Sequence, residues 1–305
     1  MNWFHRLPDN AKGIGYLMFA SVAFSLMALL IKLLGQNLHV TQILLLRQAG
    51  MFVLVLPTIL RGFPGALRSN RPGLQILRMS FALVAMLGGF SAVIHLPLAD
   101  ATAIFFAKSF FVTIFAMMFL GEVVGVYRWS AVVVGFLGVL IMLQPGTAEF
   151  SIYSLASLAG AAGAAAVMIC LRILSQHDSA DTILSWSSIG VGLAMAVPGI
   201  YFWQWPSAYE WGLLGGLAVA SYFGQRGNIY AYKHGEASLL ASLDYVRLLW
   251  ATILGFLVFD HFPGAPTWIG ASIVIVAAIF TIYRETRRKR ELNMQSSDMA
   301  RQSDA

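Results

Sequence analysis

Ile14-Gly15-Tyr16-Leu17-Met18-Phe19-Ala20-Ser21-Val22-Ala23-Phe24-Ser25-Leu26-Met27-Ala28-Leu29-Leu30-Ile31-Lys32-Leu33-Leu34 is the stretch that decides the fold. It is apolar all round and carries one charge, Lys32, near its end. A helix rises about 1.5 Å per residue, so about 20 such residues cross the hydrocarbon core of a bilayer. Blocks of the same kind fill the chain. Of its 305 residues 58% are apolar and only 11% are charged, with a mean hydropathy of +0.73. Soluble domains carry about 25% charged residues. Length here therefore counts membrane helices rather than soluble domains.

Ten spans are predicted, near 14–34, 42–60, 74–95, 98–120, 127–143, 153–173, 181–203, 210–231, 237–259 and 266–283. Turn chemistry separates them: Arg61-Gly62-Phe63-Pro64-Gly65, Gln144-Pro145-Gly146, Gln204-Trp205-Pro206 and Phe262-Pro263-Gly264. The connection at 96–98 is very short and uses Pro97 to end one helix and begin the next. The start, Met1 to Arg6 and then Lys12, has the look of a secretory leader. The apolar run after it is too long and lacks a small-residue cleavage site, so it reads as an uncleaved first helix.

Lysine and arginine set the orientation. With the N-terminus in the cytoplasm, Arg6, Lys12, Arg61, Arg68, Arg71, Arg78, Arg128, Arg172, Lys233 and the tail Arg284 to Arg290 all lie on the inner side or at inner helix ends. The outer connections 35–41, 96–97, 144–152, 204–209 and 260–265 hold neither residue. Trp203, Trp205 and Trp211 read as an interfacial belt at the outer edge. The expected localisation is the cell inner membrane. The polar tail, 285–305, anchors the C-terminus inside, and its Arg287-Arg288-Lys289-Arg290 cluster suits acidic headgroups.

The two halves of the chain align at an offset of 139 to 140. Trp129 falls on Trp268, Leu120 on Phe259 and Lys108 on Arg247; Ile43, Leu44 and Gly50 fall on Ile183, Leu184 and Gly190. Each half holds five predicted helices, and an odd number inserts the second half upside down. The expected fold is all-α and integral to the membrane, with ten transmembrane helices in two inverted five-helix repeats and both termini cytoplasmic. The divisions are 1–13, a first repeat at 14–146, a second at 147–284 and the tail 285–305. Such repeats place a binding site near the midplane between them.

Pro97-Leu98-Ala99-Asp100-Ala101-Thr102-Ala103, Phe119-Leu120-Gly121-Glu122, Arg128-Trp129, Gly135 to Val139 and Gln144-Pro145-Gly146 resemble the first-half signature of EamA-type transporters of the drug/metabolite transporter superfamily. Gly235 to Ala241, Asp244 to Ala251 and Phe259-Asp260 resemble the second repeat of a branch that includes S-adenosylmethionine-type carriers. The resemblance spans roughly 13–285 and implies secondary transport of a small molecule. The chain departs from the family's pattern at Lys108, where many members carry proline. That exchange is expected to remove a kink and add a charge.

Ionisable groups within a bilayer are costly and usually face an interior cavity. The candidates are Lys32, Arg47, Lys108, Arg226, Asp244 and Arg247. Lys32 and Arg226 lie near helix ends, where snorkelling competes with a site role. Lys108 and Arg247 are expected at similar depth on opposite walls. Asp244, three residues before Arg247, either pairs with it or receives the amine of a zwitterion. The expected substrate-binding set is Lys108, Arg247, Asp244, Tyr245, Arg47, Gln225, Arg226, Phe105 and Trp250. Ser21, Ser25, Gln48, Asn228 and Phe111 are possible neighbours. A net positive interior favours anionic or zwitterionic substrates.

Other functions lack their residues. The six histidines form no close pair, Cys170 stands alone, and no Gly-rich run ends in Lys-Ser or Lys-Thr. No catalytic residue, metal site, cofactor or direct ATP drive is expected, and no nucleic-acid partner. A channel would need a continuous polar stripe. The partners expected are a small-molecule substrate, the lipid bilayer and a coupling proton or counter-substrate. Efflux of an amino-acid derivative is the leading expectation. Uptake or exchange of a nucleoside-type metabolite such as S-adenosylmethionine is the alternative. If Asp244 carries the coupling proton, Asp244→Asn abolishes the pH dependence of flux.

Overall fold

The structure, a computed structural model, describes residues 9–120, 126–144, 150–174, 177–234, 245–277, 279–280 and 283. Helices stand in every predicted segment: α1 (Asp9–Leu34), α2 (Val40–Gly62), α3 (Pro72–His95), α4 (Leu98–Phe105), α5 (Lys108–Leu120), α6 (Val126–Leu143), α7 (Ile152–Leu174), α8 (Ala180–Tyr201), α9 (Ala208–His234), α10 (Val246–Phe259) and α11 (Ala265–Ala277). Among the described residues, six segments are long and apolar enough to cross a membrane: α1, α2, α3, α4 with α5, α7 and α8. Large apolar side chains such as Val53, Leu193 and Val197 point outward from the bundle. In water such a surface would aggregate; in a bilayer it faces acyl chains. The fold is all-α and multi-spanning. Asp244 and the tail lie outside the described residues.

Local chemistry sets the helix ends. Pro72 opens α3, where a missing N–H costs nothing. Ser207 and Glu210 form a capping box at α9: the Ser207 N–H and hydroxyl donate to the Glu210 carboxylate at 2.7 and 2.8 Å. The expectation of an unkinked helix over 98–120 is corrected. The helix breaks between Phe105 and Lys108 without a proline. The amides of Phe106, Ala107, Ser109 and Phe110 bond to carbonyls three residues back. These tighter turns interrupt the α-helical ladder.

The main pairings between halves are α3 with α7 and α1 with α9, then α2 with α8, α4–α5 with α7, α1 with α10, α2 with α9, α3 with α8 and α4 with α10. Exchanging each helix for its counterpart in the other half turns this set into itself. The contacts obey the same rule at residue level. Gly88 of α3 lies against the Ala156 carbonyl and Gly160 of α7, and Gly227 of α9 lies against the Tyr16 carbonyl and Ala20 of α1. Gly50 of α2 meets Ala218 of α9, and Gly190 of α8 meets Met79 of α3. Every one of these correspondences is an offset of 139 or 140. Small residues let backbones approach where no hydrophobic force drives helices together. This pairing is the pattern an inverted repeat produces.

Candidate functional site

A cavity of about 390 Å³ opens among α1, α2, α3, α7, α8 and α9. It occupies the middle of the bundle and the half nearest the start of α1. Arg78 of α3, Gln225 and Asn228 of α9 and Ser187 of α8 supply its polar wall, with Gln48 and Ser188 near the middle. Phe24, Met51 and Met86 supply apolar faces. No Asp or Glu lines it among the described residues. In the opposite half of the bundle α1, α2, α3 and α9 are packed against one another through Leu34, Leu38, Ile43, Leu44, Ile94, Leu214 and Leu217, all buried. Leu217 stands 139 positions after Arg78. Pseudo-equivalent positions thus carry a cation in the open half and a buried leucine in the opposite half.

Arg78 is 4% exposed. Its guanidinium donates to Gln75 Oε1 at 3.3 Å, to the Ile183 carbonyl at 3.2 Å and to Ser187 Oγ at 3.5 Å. Gln75 in turn donates to Asp178 at 3.0 Å. These partners hold the side chain in the wall without an ion pair among the described residues. The loop after α7 is latched to the start of α3 as well: the Asn70 amide donates to Asp178 Oδ1 at 2.8 Å, and the Ser69 hydroxyl donates to Oδ2. On the opposite face the loop after α1 is latched to the start of α9, Asn37 donating to Glu210 at 2.9 Å. The two latches are counterparts in the repeat.

Burial pushes the Asp178 carboxyl up, but hydrogen bonds from Ser69, Asn70 and Gln75 outweigh it and hold it below the ordinary range. The latch between α7 and α3 therefore contributes stability above about pH 4 and loses it as the pH falls through the lowered value. Melting of the wild type in detergent is expected to weaken over that acid window. Asp178→Asn should be less stable at neutral pH and lack the acid-dependent loss. Parallel acid profiles for the two proteins would contradict this.

The profile of the EamA-like transporter family matches residues 11–144 and again 151–283. The chain belongs to the EamA-like transporter family. This is a family of small-molecule secondary transporters and not of enzymes, and the chain is a multi-pass helical protein of the inner membrane. The chain is 28% identical over 256 residues to a riboflavin transporter of Vibrio cholerae, covering 82% of this chain and 85% of that one. It is 28% identical over 281 residues to an S-adenosylmethionine uptake transporter of Rickettsia prowazekii, covering 92% and 96%. It is 28% identical over 271 residues to the pseudopaline exporter CntI of Pseudomonas aeruginosa, covering 88% and 94%. A crystal structure at 17% identity superposes with a TM-score of 0.66 over 91% of this chain and 99% of that one, which speaks for the fold alone.

Within this EamA-type bundle, Gln225 of the expected set lines the cavity. Arg47 sits directly behind the wall, 3% exposed, donating to Ser221 Oγ at 2.9 Å and Gln48 Oε1 at 2.8 Å. It braces α2 against α9 and orients Gln48, whose amide donates to the Ser187 carbonyl at 3.1 Å. Arg247 lies behind Phe24, its guanidinium carbon 4.6 Å from the ring centre, so the ring stands between it and the cavity. Lys108 is half-buried 5.9 Å from the Phe105 ring. Tyr245 packs on Phe106 with ring centres 4.7 Å apart, and Trp250 is half-buried on α10. Lys108, Arg247, Tyr245, Phe105 and Trp250 form the α4–α10 side of the bundle and do not line this cavity.

Two further candidates take other positions. Arg226 is exposed in a groove between α1 and α9, because α9 turns that face away from the bundle axis. Lys32 does not line the cavity but a smaller pocket of about 290 Å³ with His95, Pro97 and Phe259. Its ammonium caps the end of α3, donating to the carbonyls of Val93 and Ile94 at 3.2 and 3.4 Å and to that of Leu96. The Val93 carbonyl is open because Pro97, four residues on, has no N–H to donate to it, and the other two are free as carbonyls at a helix end. Arg78 itself was readable only as a topology signal. The clue to more was its place four residues inside the predicted span 74–95, three after Gln75.

Proposed function

We propose that this transporter exports a small amphipathic anionic or zwitterionic metabolite, such as an amino-acid derivative, by alternating access. Arg78 carries the reading: a buried cation in a cavity wall with no carboxylate among its described lining residues. A guanidinium grips a carboxylate through two parallel hydrogen bonds. Gln48, Gln225, Asn228 and Ser187 add neutral donors and acceptors, and Phe24, Met51 and Met86 cover the apolar part of the substrate.

With ten spans, two repeats over 14–146 and 147–284 and both termini cytoplasmic, the open half faces the cytoplasm. A substrate then loads from inside, Arg78 meeting its anionic group first. A coupling proton or counter-substrate returns the carrier. The relatives' names support both directions: export for pseudopaline, uptake for S-adenosylmethionine. Uptake or exchange of a nucleoside-type metabolite is the second reading, favoured by the flat faces of Phe24 and the methionines. S-adenosylmethionine carries net positive charge, which the Arg78 wall disfavours.

The test is flux in inside-out and right-side-out vesicles with a labelled panel of carboxylates, amino-acid derivatives, riboflavin and S-adenosylmethionine. Saturable uptake of an anion or zwitterion into inside-out vesicles is expected. Flux only of S-adenosylmethionine, and only into right-side-out vesicles, would overturn the export reading.

A further inference from the structure

Arg226 is an exposed arginine on a membrane helix, and its surroundings are built rather than incidental. Tyr222, Arg226 and Tyr230 recur every four residues along one face of α9. The guanidinium donates to the Tyr222 hydroxyl at 2.6 Å and to the Tyr230 hydroxyl at 3.1 Å. It also lies 5.5 and 5.7 Å from the centres of the two rings. No carboxylate pairs with it among the described residues. Guanidinium has five donors, so most remain for a further acceptor.

The groove around it, about 500 Å³, forms where Gly227 lets α9 approach α1. Its composition changes along its length. Tyr16 stacks on Tyr230 with ring centres 5.5 Å apart at the end nearest the start of α1. Toward the middle of the bundle Phe19 and Phe223 meet edge to face at 6.2 Å. Arg226 lies eight residues before His234 in a helix of 27 residues, or about 12 Å from its end. In a bilayer this is the inner part of a leaflet, within a side chain's reach of the headgroups.

We propose that this groove binds an anionic phospholipid of the cytoplasmic leaflet. Arg226, with the hydroxyls of Tyr222 and Tyr230, holds the phosphate, and an acyl chain runs along Phe19 and Phe223. Phe19 and Phe223 lie deeper than Arg226 and Tyr230, the order in which an acyl chain and a phosphate lie in a leaflet. A phosphate neutralises a cation that would otherwise stand bare toward hydrocarbon. No acid lines the groove among the described residues, so the amine of a zwitterionic headgroup finds no ion-pair partner there. The leaflet assignment rests on the orientation adopted above; the lipid site itself does not depend on the transport reading.

Native mass spectrometry of the full chain decides it. The protein is released from dodecyl maltoside micelles containing phosphatidylglycerol, phosphatidylcholine or glycerol 3-phosphate, without transport substrate. Phosphatidylglycerol adducts are expected at about ten times the level of phosphatidylcholine adducts, falling about tenfold in Arg226→Gln. The double variant Tyr222→Phe/Tyr230→Phe, which keeps both rings, should lose most of the same adduct. Glycerol 3-phosphate alone should leave none. Equal retention of the two lipids, adducts unchanged in both variants, or a protein dimer that dissociates in Arg226→Gln would overturn the proposal. Failure of substrate flux would leave these masses unchanged.

Discussion

Arg78→Gln is expected to cut the apparent affinity for an anionic substrate by about 10- to 100-fold, the loss of one charge-assisted hydrogen-bond pair. The reason is geometric. Gln75, Ile183 and Ser187 already fix the guanidinium in the cavity wall, so binding costs little further side-chain entropy. Glutamine keeps polarity and most of the volume but loses charge and fork geometry. Arg78→Lys should recover part of the affinity, because the charge returns without the planar pair of donors. Equilibrium binding of the substrate to detergent-purified protein, with melting temperature as a control for folding, checks both. Wild-type affinity in a well-folded Arg78→Gln protein would remove Arg78 from the binding wall and with it the main support for an anionic cargo.

Gly88→Ala is expected to destabilise the bundle by about 1–3 kcal/mol, lowering the detergent melting midpoint by about 5 °C. A methyl there would press on the Ala156 carbonyl and the Gly160 backbone, and backbone cannot swing aside as a flexible side chain can. The repeat supplies a matched control. At Gly227 the same methyl would meet Ala20 Cβ at 3.2 Å and the Tyr16 carbonyl at 3.3 Å, a contact too short by only a few tenths of an ångström. Gly227→Ala should therefore cost clearly less than Gly88→Ala. Equal costs would show that the two helix crossings are not as differently packed as the structure has them. Thermal unfolding followed by size-exclusion fluorescence reads both variants on one scale.

The membrane-spanning segments were legible because a bilayer forces backbone groups to bond within a helix and side chains to be apolar for its whole thickness. The block 14–34 can do little else. The repeat was legible for a related reason: Gly50 and Gly190 occupy equivalent close crossings, so the same small residue recurs. The kink before Lys108 was not legible, because it comes from a run of tighter backbone turns rather than from the proline that marks such bends elsewhere. Charges were read less well. Lys108 and Arg247 gained weight from their symmetric spacing, yet Phe24 screens Arg247 from the cavity and Lys108 lies over Phe105. Arg78 passed as a topology signal because it sits near a helix start on the basic side.

The amino-acid sequence by itself thus determined that this is a helical membrane protein, where its helices run, and that its halves repeat. Those properties follow from local composition against a uniform solvent. Tertiary structure alone decided which way each helix turns its face. That rotation puts Arg78 into a cavity, Arg47 behind it, Arg226 onto the outer surface of the bundle and Lys32 onto the carbonyls at the end of α3. Helix rotation depends on which neighbour each small residue admits, and that is a property of pairs of segments far apart in the chain.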